Sequence, residues 1–183
     1  MKKSLLTTLM FSTFLVSFDA SARETNPFNE LPDAFKNGKF WLDSRYRYEM
    51  VEQSGFANDA KASSLRTNLG FETGEIMGGL KLGAEAQDVS YIGDDEDFNN
   101  GINNQTAYPA VNDPDGTEIN QAYAMLGFFP GTQLKIGRQK IEVDNERFIG
   151  DAGWSQNDQT YDAAVLRNTS LSGVEFLYGY VNN

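Results

Sequence analysis

Residues 39–50 read Lys39-Phe40-Trp41-Leu42-Asp43-Ser44-Arg45-Tyr46-Arg47-Tyr48-Glu49-Met50. Phe40, Leu42, Tyr46, Tyr48 and Met50 share one parity, and Lys39, Asp43, Arg45, Arg47 and Glu49 share the other. A period of two is the signature of a β-strand with one apolar and one polar face. The next segments repeat it. Leu65, Thr67, Leu69 and Phe71 oppose Ser64, Arg66, Asn68 and Glu72, and Leu80, Leu82, Ala84 and Ala86 oppose Lys81, Glu85 and Gln87. In these three segments every charge before Asp88 falls on the polar parity. That segregation matters because an Arg or Lys on a lipid-facing strand position costs about 2–4 kcal/mol at mid-depth.

Extending the reading gives seven strands, near 39–50, 63–73, 79–91, 118–129, 133–141, 159–168 and 173–182. Long connections (51–62, 92–117, 142–158) then alternate with short ones (74–78, 130–132, 169–172). A chain that weaves up and down through a bilayer produces this alternation, with every long loop on one side and every short turn on the other. The expected fold is therefore all-β: an antiparallel transmembrane β-barrel, of which this chain supplies about seven strands. Val174, Phe176, Tyr178 and Tyr180 give the last strand an apolar row like that of the first. Two strands resist assignment. Ile119, Tyr123 and Met125 oppose Ala122, Ala124, Leu126 and Phe128, so neither face is polar throughout. Leu134 and Ile136 share parity with Arg138, which calls for a bulge near Gly137 if that charge is to leave the apolar face.

The start of the chain reads as a secretory signal. Lys2 and Lys3 precede an apolar stretch from Leu5 to Phe18, and Ala20-Ser21-Ala22 supplies small residues at a cleavage site. The expected organisation is a signal peptide at 1–22, a polar periplasmic lead-in at 23–37 containing Pro27 and Pro32, and barrel wall over 38–183. No segment approaches the roughly 20 apolar residues that a spanning helix needs. A membrane location thus requires a closed barrel, which leaves no backbone group unpaired in hydrocarbon.

The net charge is −11 for the whole chain and −12 once residues 1–22 are removed, which leaves 13 basic and 25 acidic residues. Such a chain is no partner for nucleic acid. No Lys or Arg lies between Lys81 and Lys135, a span that carries nine acids: Glu85, Asp88, Asp94, Asp95, Glu96, Asp97, Asp113, Asp115 and Glu118. The loop acids read as a solvated surface, with Asp113-Pro114-Asp115-Gly116 as a turn. Asp95, Asp97 and Asn99 alternate like the start of a calcium loop, but Asn100 stands where Gly is needed and Thr106 where Glu is needed, so no metal site is expected. The chain has no Cys and no His, which removes disulfides, thiol or imidazole nucleophile systems and the commonest metal ligand. No carboxylate pair sits in an apolar context that would separate two pKa values, and no phosphate-cradling glycine loop is present. Neither enzymatic activity nor a cofactor is expected.

Three stretches carry a family resemblance: Gly38-Lys39-Phe40 through Arg45-Tyr46-Arg47-Tyr48-Glu49, then Leu65 to Gly70, then Leu134 to Asp162, LKIGRQKIEVDNERFIGDAGWSQNDQTYD. The third resembles the "GRQ … RF(I/L)G … W … QT(Y/F)D" block of outer-membrane porins of the alginate-export type. The resemblance implies a barrel of about 16 to 18 strands, a size that leaves an aqueous lumen, and the chain reads as an N-terminal part of it. It further implies a water-filled channel for small hydrophilic solutes, anions or acidic polysaccharide among them, in contact with outer-membrane lipid. Arg45, Arg47, Arg66, Lys81 and Glu85, with Arg138, are the candidate pore-lining residues, the cations forming a ladder unless Asp43, Glu49, Glu72 and Glu85 neutralise them. Arg147, Trp154, Gln156, Asn157 and Asp162 are candidates for an inward loop or constriction, or else belong to a packed extracellular loop in which Gly150 and Gly153 serve turns; either way Trp154 is the expected anchor through its large apolar area. A small barrel or surface adhesin acting through its acidic loops is the alternative, and a soluble periplasmic β-sandwich a third.

Overall fold

The computed structural model describes residues 26–93 and 96–182. The expected signal peptide at 1–22 lies outside them. Seven strands form one antiparallel sheet in sequence order: β1 (Lys39–Val51), β2 (Ala60–Glu72), β3 (Leu80–Tyr91), β4 (Gly116–Phe129), β5 (Thr132–Gln139), β6 (Tyr161–Asn168) and β7 (Phe176–Val181). The sheet does not close on itself; β1 and β7 are its edges among the described residues. The all-β expectation holds, and the seven strands lie where the period of two put them. No described helix is long and apolar enough to cross a membrane. The only helices described are a turn at Pro27–Asn29 and α1 (Leu31–Lys36), which has Pro in its first turn, where the missing N–H costs nothing.

The connections alternate as expected, with one difference. β1 and β2 pair as far as Val51↔Ala60, so the first loop shrinks to 52–59. Loops 52–59, 92–115 and 140–160 lie at one end of the strands, and they touch: the Asn58 amide donates to the Ala107 carbonyl at 3.3 Å. At the other end α1 packs on the β2–β3 turn. The Gly74 amide donates to the Ala34 carbonyl at 2.8 Å, the Met77 amide to Glu30 Oε2 at 2.6 Å, and the Phe35 and Phe71 rings stack at 5.6 Å. The lead-in is thus a small helical plug against the short-turn end.

The two faces of the sheet differ sharply. One is bare and apolar: Phe40, Leu42, Tyr46, Tyr48, Met50, Leu69, Leu82, Ile119, Ile136, Phe176, Tyr178 and Tyr180 all stand exposed on it. So continuous an apolar surface is far larger than water-soluble monomers carry. The other face is polar and covered by loops. Its buried groups include Ser64, Asn68, Glu85, Gln87, Asn120 and Gln139. At the long-loop end, loop 92–115 rolls over it. Phe98, wholly buried, meets Tyr91 edge-on at 5.0 Å and packs with Ala60, Ala62 and Val111.

The register explains the ambiguity of β4. Glu85 pairs with Gln121 but Ala86 pairs with Ile119, so Asn120 is an extra residue in β4. A bulge of this kind shifts the side-chain phase by one. Ile119 therefore joins Ala122, Ala124 and Leu126 on the bare face, while Asn120, Gln121, Tyr123 and Met125 all turn to the covered one. No shift occurs near Gly137. β5 runs unbroken through Ala122↔Arg138, and Arg138 stays on the face of Leu134 and Ile136. The phase break expected in β5 sits instead in β4.

Candidate functional site

The covered face is organised by loop 140–160, which folds back across the strands instead of projecting from them. Arg45 holds its backbone, donating from Nη1 to the Gly153 carbonyl at 2.7 Å, from Nη2 to the Ser155 carbonyl, and from Nε to Gln156 Oε1 at 2.9 Å. Arg47 donates to the Trp154 carbonyl at 2.8 Å and pairs with Asp113 at 3.0 Å and with Glu49. Gln156 is 0% exposed; its amide reaches Ser64 Oγ at 2.9 Å and its backbone N–H donates to Asp113 Oδ1 at 2.8 Å. Asn157 donates to the Pro114 carbonyl at 3.0 Å, tying the loop to loop 92–115.

Asp158 is the centre of this network. Its Oδ2 accepts from Lys140 at 2.6 Å, Gln87 at 2.8 Å, Asn120 at 3.0 Å and Asn68 at 3.3 Å, while Oδ1 pairs with Arg66 at 2.8 Å. The side chain is 1% exposed, so two cations and three amides replace its water. Burial pushes the carboxyl up, but the hydrogen-bonded Lys140 ammonium and the Arg66 guanidinium outweigh it and hold Asp158 below the ordinary carboxylate value. Among the described buried side-chain atoms only Arg66 Nε and Asn120 Oδ1 lack a hydrogen-bond partner, which marks a nearly saturated lock.

Arg45, Arg47, Arg66, Lys81 and Glu85 all fall on the covered face, as the period of two predicts. They do not make a bare cationic ladder. Arg66 also pairs with Asp43 at 3.0 Å, and Glu85 accepts from Asn120 at 2.8 Å, from Gln121 at 3.2 Å and from the Trp41 indole. The acids on the same faces and the docked loop absorb the three arginines. Of the expected cations on this face, Arg45 and Lys81 have no acidic partner within 4.0 Å among the described residues; Arg45 is engaged by the loop carbonyls and Gln156, whereas Lys81 has neither.

Five expectations need correction. Arg138 is not on the covered face; it lies on the bare one, where Asp162, directly opposite in the register, takes its fork at 3.0 and 3.2 Å. Asp162 therefore belongs to that pair and not to the inward loop. Trp154 does not anchor the loop: its side chain is 76% exposed, and only its carbonyl is used. Arg147 sits exposed in the turn closed by Val143 and Ile149, and its side chain makes no hydrogen bond or ion pair with the described residues. Asp113 is likewise no solvated acid. It is 3% exposed and receives Arg47, Ser155 Oγ and the Gln156 amide. Of the proposed constriction residues, Gln156 and Asn157 are part of the docked segment. The sequence does not mark Asp158 or Lys140 as site residues, because nothing in a run of polar loop residues shows which acid will meet a buried cation, and Gln87 reads only as one more polar position on β3.

In the acidic loop, Asp94 and Asp95 lie outside the described residues. Asn99 Oδ1 accepts the Gly101 amide at 2.9 Å and Asn100 Oδ1 the Asn103 amide at 2.7 Å, so these side chains cap turns. No cluster of three or more acids suited to a metal occurs among the described residues.

The model of the alginate export family matches residues 37–173. The chain belongs to the alginate export family. Its place is thus among outer-membrane transport proteins, and the seven-stranded antiparallel sheet with its bare apolar face accords with that. Neither among curated proteins nor among solved structures does this alginate-export chain have a significant match.

Proposed function

We propose that this alginate-export chain forms part of the wall and the inward constriction of a water-filled channel through which small hydrophilic solutes, anions included, diffuse passively across the outer membrane. The bare face meets lipid and the covered face meets the lumen. The long loops are extracellular, and the short turns with α1 are periplasmic. No bond is made or broken in the solute; the wall supplies an aqueous path through hydrocarbon.

The observation that carries this reading is loop 140–160, drawn across the polar face by Arg45, Arg47 and Arg66 and locked at Asp158. A loop whose backbone carbonyls are held by strand arginines narrows the space beside the sheet without filling it with apolar core. Pore selectivity then follows from the residues left open on that face. Lys81, without an acid within 4.0 Å among the described residues, is one of the groups that favour anions.

Planar lipid bilayers test the proposal. The protein is expected to give discrete, ohmic conductance steps, with a zero-current potential in a salt gradient on the anion side. Folded, membrane-inserted protein that gives no steps would overturn it.

A further inference from the structure

Below the docked loop, towards the short-turn end, the covered face holds a cleft of about 290 Å³ lined by Lys39, Trp41, Glu72, Glu85, Gln121 and Tyr123. We infer that this cleft is a binding subsite for an uncharged, hydroxyl-rich sugar ring. The inference rests on the channel reading for its access from water, and it concerns which solute pauses on the way.

Two aromatic side chains form the walls, and the sheet is built to receive them. Trp41 lies opposite Gly70 and Tyr123 opposite Gly83 in the register. A Cβ at either glycine would collide with the facing ring, so only glycine lets each ring lie flat against the neighbouring strand. Both rings are then fixed by their polar ends: the Trp41 indole N–H donates to Glu85 Oε2, and the Tyr123 hydroxyl donates to Glu72 Oε2 at 2.8 Å. Lys135 completes the Tyr123 wall, 3.7 Å above its ring centroid. Rigid aromatic walls with a few convergent polar groups are what small-molecule sites present.

The open polar groups match a vicinal diol. The Lys39 ammonium and Glu72 Oε1 hold no hydrogen bond or ion pair with the described residues. One donates only and the other accepts only. A sugar ring offers adjacent hydroxyls that can accept from the first and donate to the second, and a C–H face that lies on the Trp41 ring. Charge decides against a uronate here. Glu72 and Glu85 offset Lys39 and Lys135 around the cleft, and the free oxygen of Glu72 would repel a ligand carboxylate.

Trp41 and Trp154 are the only tryptophans, so Trp154→Phe, at an exposed loop site, leaves Trp41 as the sole reporter. Detergent-solubilised protein carrying this change is titrated with maltotriose and with trigalacturonate. Maltotriose is expected to shift Trp41 emission saturably and trigalacturonate not to. Glu72→Gln, which keeps the size of the side chain, is expected to weaken maltotriose binding about tenfold. Saturable block of single-channel current by maltotriose is the matching readout in bilayers. Loss of conductance with fluorescence binding intact would overturn the channel reading and leave the cleft. Conductance without maltotriose binding, or trigalacturonate binding as well as maltotriose, would overturn the subsite.

Discussion

Replacing Asp158 by Asn removes one charge from the centre of the docked loop while keeping the side chain's size. In the native network Oδ2 serves four donors and Oδ1 one. An Asn oxygen can replace only one of these two oxygens, so its NH2 must face a donor, Arg66 on one side or Lys140 and the amides on the other. Removing one partner of a buried ion pair costs about 3–5 kcal/mol. Lys140 keeps 23% of its side-chain surface in water, which argues for the lower end. A change of ~3 kcal/mol in docking raises the open population of the loop about a hundredfold. Hydrogen exchange reads this locally, because the Gln156 and Asp158 amides are bonded across to Asp113 and Gln87 at 2.8 and 3.2 Å. Exchange at these two amides should accelerate by about two decades in Asp158→Asn, with the β2 and β3 amides unchanged. Exchange within about threefold of wild type would refute the claim that Asp158 holds the loop.

Acid should act in the same direction. The folded carboxyl of Asp158 lies below its ordinary value of 3.8, so its contribution to docking is complete above that value and is lost as pH falls further; Gln156 exchange should stay flat from neutral pH to about 4, after correction for the intrinsic pH dependence, and rise only below it. Gly70→Val should drive Trp41 off its seat, destabilise the sheet by about 1–3 kcal/mol in urea unfolding and red-shift its emission. Arg138→Leu alone takes the guanidinium fork from Asp162 on the bare face and should lower the urea midpoint in vesicles, whereas Arg138→Leu with Asp162→Leu should restore it, since the pair is replaced as a unit. Lys81→Glu should move the zero-current potential in a salt gradient toward cations, with little change in unfolding.

β1, β2 and β3 were legible from the chain because each places alternate residues on faces of opposite polarity, and that pattern is local. β4 was not, since the bulge at Asn120 is stabilised by a contact from another strand, Glu85 Oε1, which no window around Asn120 contains. Arg138 looked misplaced for the same reason: its partner Asp162 lies on β6. Gln156 and Asn157 of the docked loop stood out in the sequence, but its anchor did not. Aromatic bulk pointed to Trp154, while the actual lock is a carboxylate whose only distinction is the meeting of Arg66, Lys140 and three amides from four different strands and loops. Electrostatic hubs are written in the tertiary register and not in spacing.

The central claim is that one face of this sheet meets lipid and the other water. The chain has no cysteine, so single cysteines can be placed along β1 without background. A polarity-sensitive fluorophore attached at positions 42, 46 and 48 should be quenched by lipid-borne nitroxides and resist aqueous iodide, and at positions 43 and 49 the reverse should hold. Equal quenching at even and odd positions, or iodide access at 42, 46 and 48, would contradict it.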